Sequence, residues 1–507
     1  MNRPLALPLI LLAAAVGPPA APAQPPPAKP PTAITLRPAS EPRPALKYRL
    51  VPPRPTLEPG NAAVFYHRAL QLSLAKQRAL EDAEPKKPGN PQIARGRSID
   101  EKVGNWINGP LAEIPYDEAR ALLDQFADTL KEVDQGIRRL DCDWEFDRRT
   151  VEGNSLLLPE IQEVRSIARL VSLQARLAIV AGDYDRAVDR ARAGLTLARH
   201  VARGPFAIQS LVGVAIANEM VDCLRALIQA PGAPSLYWAL ANRPRPLIDM
   251  RDAFDSEHDA LENELPGLRE LEVGIWGRDQ ARRFVAELQR KLADLGSGSL
   301  PGSLLLGNSA GPPDSIPISI RRLGIAAVCA KVYPEARTAL IAAGRPEAEV
   351  DAMPVVQVAA LHSLREYRQA NDDLFKGLDL PYWQLAALPK VAGFESVEAK
   401  LANPLWATIS ILSSDLRRAR LAPLRLDRQL DALQCVEAIR LDATTHGGKL
   451  PMSLEAIVAT PCPVDPATGT PFRYEVAGDS ATLDGPIPPG APDHPTSAIR
   501  YALKLAR

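Results

Sequence analysis

Between Ile161 and Gln229 apolar residues recur at helical spacing on both sides of one short turn, Ala181-Gly182-Asp183-Tyr184-Asp185. Before the turn, Leu170, Leu173, Leu177 and Val180 fall three or four residues apart. After it, Tyr184, Ala187, Val188, Ala191, Leu195 and Ala198 do the same. That period belongs to an amphipathic helix, and a turn this short forces the two helices antiparallel. Gly182 suits the left-handed residue that ends the first helix. Asp183 or Asp185 complements the positive end of the second. Small alanines on the second helix allow close approach, so the stretch predicts a helical hairpin able to stack on further hairpins.

The N-terminus reads as a processing segment. Arg3 precedes an apolar run from Leu5 to Val16, and Ala21-Pro22-Ala23 offers a cleavage site, which assigns 1–23 to a signal peptide. An uncleaved anchor is the alternative. No cysteine follows the apolar run, which argues against a lipid-linked form. Residues 24–59 are dense in proline and are expected to form a disordered tether. The chain is therefore expected to be exported, periplasmic or at the cell surface, with no transmembrane helix after signal cleavage.

Helical patterns resume at 62–80, where Asn61 stands ready as a cap, and at 116–140. The run 206–228 carries only a narrow polar stripe and is expected to be buried on most sides. A Gly/Ser/Pro-rich stretch at 296–317 is the internal linker. It separates a helical domain at 60–295 from a helical region at 318–445, whose last helix is expected to break or kink near Pro423. In the tail at 446–507, Phe472 to Val476 alternates and Ala481-Thr482-Leu483 returns, giving a small β-hairpin.

Three resemblances carry this further. Gly182-Asp183-Tyr184-Asp185-Arg186-Ala187-Val188 resembles the inter-helix signature of a tetratricopeptide repeat over one hairpin, at 161–203. No 34-residue period repeats it. Gly448-Lys449-Leu450-Pro451, Ser453-Leu454, Val464-Asp465-Pro466, Thr468-Gly469, Pro471-Phe472 and Tyr474 resemble the tail of type II secretion pseudopilins. That resemblance implies a long helix packed on a small sheet; the N-terminal helix of that family is missing. Pro59-Gly60-Asn61-Ala62-Ala63, Leu236-Tyr237-Trp238-Ala239-Leu240, Arg245-Pro246-Leu247-Ile248-Asp249 and Leu380-Pro381-Tyr382-Trp383 resemble a family of exported bacterial helical-repeat proteins that brings no activity with it. The expected fold is mainly α: stacked antiparallel helical hairpins, a tetratricopeptide-like α-α superhelix, with a small α+β C-terminal tail.

Chemistry is sparse. Neither a G-x-S-x-G elbow, a P-loop, a dinucleotide glycine fingerprint nor H-E-x-x-H occurs, so no cofactor, no metal and no catalytic residue is assigned. Lys plus Arg and Asp plus Glu are 60 each, and this balance argues against a nucleic-acid partner. Tyr237, Trp238, Arg245 and Arg251 gather aromatic and guanidinium groups among prolines, either as a binding surface or as core anchors. Asp255, His258 and Glu262 fall at helical spacing, either as an acid–base face or as solvated charges. Arginines between Arg417 and Arg428 alternate with leucine and alanine, either as a solvated face or toward anionic lipid. Cys435 and Cys462 either bridge in an oxidising compartment or remain separate buried thiols.

The function expected is an exported non-catalytic helical scaffold or binding protein of the cell envelope, with a protein partner. The alternatives are an envelope hydrolase using carboxylates and His258 from non-adjacent helices, and an accessory of a secretion or pilus-like system.

Overall fold

The computed structural model describes residues 30–83, 97–145, 158–258, 262, 265–296, 318–377, 380–387, 416–491 and 497–506. It is mainly helical, with a small mixed sheet that the C-terminal segment dominates. The signal segment and the linker's residues 297–317 lie outside the described residues, as do 388–415.

The first strand arises where it was not expected. Within the proline-rich segment, Thr32-Ala33-Ile34-Thr35-Leu36 is free of proline, and it forms β1 (Thr32–Leu36). Ile34 and Leu36 are each 1% exposed, with Thr35 pointing out between them, the period-two pattern of a half-buried strand. Residues 30–59 are therefore no disordered tether. β2 (Glu58–Asn61) follows and leads into α1 (Ala63–Ala83), where the Asn61 side chain accepts from the Ala63 amide at 3.0 Å.

After α2 (Arg97–Asn108), the helix expected at 116–140 divides. It becomes α3 (Tyr116–Gln125) and α4 (Ala127–Gly136), with the buried Phe126 at the junction, and ends in β3 (Arg139–Asp141), which pairs parallel with β2. The apolar spacing continues across the break, so periodicity alone does not reveal it.

The hairpin forms as expected, from α5 (Leu158–Val180) and α6 (Tyr184–Val201). Gly182 adopts φ +74°, and the Gly182 and Asp183 amides donate back to Ile179 and Ala178 at 3.0 and 2.9 Å. Asp183 caps α6 by accepting from the Arg186 amide at 3.1 Å. Asp185 instead takes the Tyr48 hydroxyl at 2.6 Å and the Lys47 ammonium. α7 (Ala207–Leu227) lies against both α5 and α6, and two glycines set how closely it lies. A Cβ on Gly194 would stand 2.2 Å from the Met220 sulfur, and one on Gly213 would stand 2.5 Å from the Ala198 carbonyl oxygen. Among the described residues α7 is the only helix long and apolar enough to cross a membrane, and 67% of that stretch is buried.

α8 (Tyr237–Ala241) and α9 (Arg251–His258) complete this side of the molecule. The next helices, α10 (Arg278–Gly296), α11 (Ile318–Ala342), α12 (Glu347–Ala352) and α13 (Val355–Phe375), share a second hydrophobic core with Leu265, Leu268 and Trp276. α10 packs against α11 across 297–317, so the segment read as a linker does not divide the two cores. After α14 (Tyr382–Ala387), α15 (Leu416–Thr445) returns to the first core. It contributes Leu426, Leu430, Leu433, Val436 and Ile439 and runs through Pro423 as continuous helix.

In the tail, β4 (Arg473–Ala477) and β5 (Ser480–Gly485) make the expected hairpin. β6 (Ile499–Leu505) then joins β5 antiparallel and β1 parallel, with Ile34 opposite Leu503. The sheet order is β1-β6-β5-β4. Ile499, Tyr501 and Leu503 alternate inward on β6, and together with Ile34 and Leu36 they belong to the same core as the helical stack.

A candidate binding cleft and the buried polar row of the last helix

The residues singled out for binding separate in space. Tyr237 is buried at the start of α8, its hydroxyl donating to the Pro461 carbonyl at 2.8 Å and its ring meeting Trp238 edge-on. Burial raises its pKa. Trp238 is half-buried and donates from its indole nitrogen to the Glu41 carboxylate. Arg245 reaches Asp431 at 3.2 Å and Gln434 at 2.9 Å, both on α15. Arg251 forks onto Asp249 at the surface, and these bonds hold the Asp249 carboxyl below its ordinary value. Tyr237 and Arg245 are thus anchors between α8, the following loop and α15.

The acidic face also comes apart. Asp255 is exposed on α9, and the side chain of His258 lies outside the described residues. Glu262 turns to another element, accepting from Arg368 on α13 at 3.1 Å. Among the described residues, no group of three or more His, Cys, Asp or Glu is placed to hold a metal ion.

α15 carries a buried polar row that the sequence presents as alternating charges. Arg428 is 1% exposed, a correction to the solvated or lipid-facing reading of its stretch. Its guanidinium spans Asp465 at 2.8 and 2.6 Å and donates to the Ser497 and Pro486 carbonyls at 2.7 and 2.6 Å. Farther along, Glu437 accepts from the Ser235 hydroxyl at 2.9 Å and the Leu236 amide at 3.1 Å, and it pairs with Arg440. Arg440 in turn donates to the Arg37 carbonyl at 2.9 Å and to the Ala233 carbonyl at 3.1 Å. Arg243 meets Asp431 at 2.7 Å. Asp427 accepts from the Leu247 amide at 3.2 Å, and burial raises its carboxyl to about 6, against the opposing pull of Arg243. Buried charges persist in a fold when they are paired and bonded in this way. The row fastens the strand-bearing N-terminus, the 233–247 segment and the tail to one helix.

Cys435 and Cys462 are neighbours, and both are free thiols. Of the two alternatives the structure shows free thiols with the bridge not closed, although the two partners are together. Burial pushes the Cys435 thiol well up, and Cys462 adds to the shift.

The hairpin turn borders a cleft of about 820 Å³. Ile179, Val180, Gly182 and Tyr184 form its first side. The end of α2 and the turn after it, 107–112, form the second, and the last turns of α7 with Pro231 form the third. Tyr184 braces the rim, its hydroxyl donating to the Pro231 carbonyl at 2.5 Å. Ile107, Leu111, Ile179 and Val180 supply its apolar surface beside the polar Asn108, Asp222 and Gln229, and Val180 is 44% exposed.

Two guanidinium groups stand in this cleft. Arg225 on α7 is committed: it bonds Asp222 at 2.6 Å and Gln429 at 3.1 Å and lies 5.9 Å from the centre of the Tyr501 ring. Arg176 on α5 is different. It is 5% exposed and donates from one terminal nitrogen to the Gly109 carbonyl; its Nε is buried with no hydrogen-bond partner, as is that of Arg225, so what distinguishes it is the lack of an ion-paired carboxylate. No carboxylate among the described residues lies within ion-pair distance of it, and burial lowers its pKa. Asp222, the carboxylate of the cleft, is taken by Arg225. Sequence reasoning passed over Arg176. The available signal was a lone charge among Ser172, Leu173, Ala175 and Leu177, on a helix otherwise apolar there.

Compared with protein-family models, curated proteins and solved structures, the chain matches none of them significantly.

Proposed function

We propose that this chain is an exported, non-catalytic helical scaffold or binding protein of the cell envelope, and that the cleft beside the α5–α6 turn is its contact surface. The observation that carries the reading is a contrast between arginines. Arg243, Arg428 and Arg440 are buried and committed to carboxylates that hold the fold together. Arg176, 5% exposed, lines an open cleft of mixed polar and apolar walls and pairs with no carboxylate at ion-pair distance. A buried cation without a direct ion pair costs stability, and an anionic group entering the cleft would offset that cost.

Export rests on Arg3, the apolar run Leu5 to Val16 and the Ala21-Pro22-Ala23 site. The test has two parts. Envelope fractionation with N-terminal sequencing is expected to find the protein outside the cytoplasm and beginning after Ala23. A photo-crosslinking residue at Val180 is expected to capture a discrete partner that the same residue at Asp255 does not. A full-length chain confined to the cytoplasm contradicts export. Identical adducts from both positions contradict the cleft as contact surface.

A further inference from the structure

We propose that the cleft binds the oxyanion head, carboxylate or phosphate, of a small amphiphile, with Arg176 as the buried recognition group. This rests on reading the cleft as the contact surface and adds the chemistry of what enters it. Four observations converge. The volume, about 820 Å³, falls within the range of roughly 300–1,000 Å³ that small-molecule sites occupy. The charge balance is two guanidinium groups against the single carboxylate of Asp222, so the cleft carries an unmatched positive charge. That charge sits on Arg176, whose buried Nε lacks an acceptor and whose planar fork matches carboxylate and phosphate geometry. Leu111, Ile179 and Val180 share the lining with it and supply apolar surface for a short hydrocarbon.

A cationic ligand meets the wrong sign here, and a fully apolar one leaves Arg176 as it stands. A bare oxyanion satisfies the arginine and leaves the walls wet. An oxyanion joined to a short hydrocarbon answers both.

The experiment uses the mature full chain and isothermal titration with octanoate, octyl phosphate, acetate, inorganic phosphate, 1-octanol and octylamine. Octanoate or octyl phosphate is expected to bind, with the tighter of the two identifying the head group. Acetate, inorganic phosphate, octanol and octylamine are expected to bind at least about tenfold more weakly, each lacking half of the recognition. Arg176→Met is expected to weaken the best probe about tenfold or more, with Arg176→Lys recovering part of the loss. Should Arg176→Met fail to fold by circular dichroism, Val180→Glu decides. It adds a repelling charge at the half-exposed rim, and binding is again expected to fall.

The proposal is overturned if neither amphiphile binds, or if octanol or octylamine binds as tightly. It is also overturned if inorganic phosphate matches octyl phosphate, if binding survives unchanged in a folded Arg176→Met, or, where that variant does not fold, if it survives unchanged in Val180→Glu. Failure here leaves the fractionation and crosslinking results untouched, so the broader reading is judged separately.

Discussion

Arg428 and Asp465 face each other through two parallel bonds, Nε to Oδ1 at 2.8 Å and Nη2 to Oδ2 at 2.6 Å, with both side chains 1% exposed. One belongs to the middle of α15 and the other to the Asp-Pro turn that opens the tail. Asp465 also accepts from the Ala467 amide at 2.9 Å, which shapes that turn. Gly485 closes over the pair, where a Cβ would stand 2.8 Å from the guanidinium. Helix and tail are joined by charge at a point where water is excluded.

Arg428→Met therefore leaves Asp465 buried without its counter-charge. The expected loss is about 3–5 kcal/mol in urea unfolding. The double variant Arg428→Met with Asp465→Leu is expected to lose less than the single one, because no charge remains buried alone. A double variant that loses more than the single would show that the pair contributes by packing.

Gly213→Ala tests the approach of α6 and α7. Alanine is the better helix former by about 1 kcal/mol, which favours the substitution. Against that, its methyl meets a backbone carbonyl at 2.5 Å, and a carbonyl within a helix cannot swing aside as a side chain does. Overpacking of this sort costs about 1–3 kcal/mol, so a net fall in melting temperature is expected. A rise would mean that the helices separate more readily than this packing allows.

Acid sensitivity has two opposed sources. His200 is buried, accepts from or donates to the Tyr66 hydroxyl at 2.7 Å, and is held down to about 3 from 6.5, by burial first and then by Arg203. Unfolding exposes it to protonation, so its contribution to stability is present above pH 6.5 and is lost as pH falls toward about 3. Asp427 has the reverse sign. Raised from 3.8 to about 6, it favours the folded state most below pH 3.8, and that contribution disappears as pH rises through about 6. Each pH unit between folded and unfolded values is worth about 1.4 kcal/mol. Where the windows overlap, from pH 3.8 to about 6, the two slopes oppose. Asp427→Asn is expected to steepen the loss of stability from pH 6 to 4, and His200→Gln to flatten or invert it. Chemical denaturation at several pH values measures both slopes, and identical profiles for the two variants would contradict the assignment.

The thiols of Cys435 and Cys462 give a compartment-dependent prediction. Protein recovered from an oxidising envelope is expected to show three reactive thiols after denaturation without reductant and five with it. Five in both conditions would mean that the pair stays reduced.

What the sequence made legible was local. The α5–α6 turn was readable because glycine, capping aspartate and apolar spacing lie within a few residues of one another. The β4–β5 hairpin was readable for the same reason. β1 was hidden because five strand-forming residues lie among prolines, and the partner that orders them, β6, is at the far end of the chain. The division at Phe126 was hidden because an apolar period does not register a single non-helical residue. Arg428 was misread because arginines alternating with leucine and alanine have the same pattern whether they meet water or buried partners. Tyr237 and Arg245 were correctly marked as unusual, and the structure gives them anchoring contacts. Arg176 was legible as a charge in an apolar run, but its lack of a partner exists only once Asp222 is seen to belong to Arg225.

The most direct test of the cleft is arginine-selective nuclear magnetic resonance of the mature chain, following guanidinium Nε–H signals as octanoate or octyl phosphate is added. An acceptor arriving at Arg176 is expected to shift its Nε–H signal saturably downfield, while Arg428 and Arg440, already bonded, stay in place. An Arg176 signal that remains stationary, or one that moves only together with all the other arginines, contradicts the account.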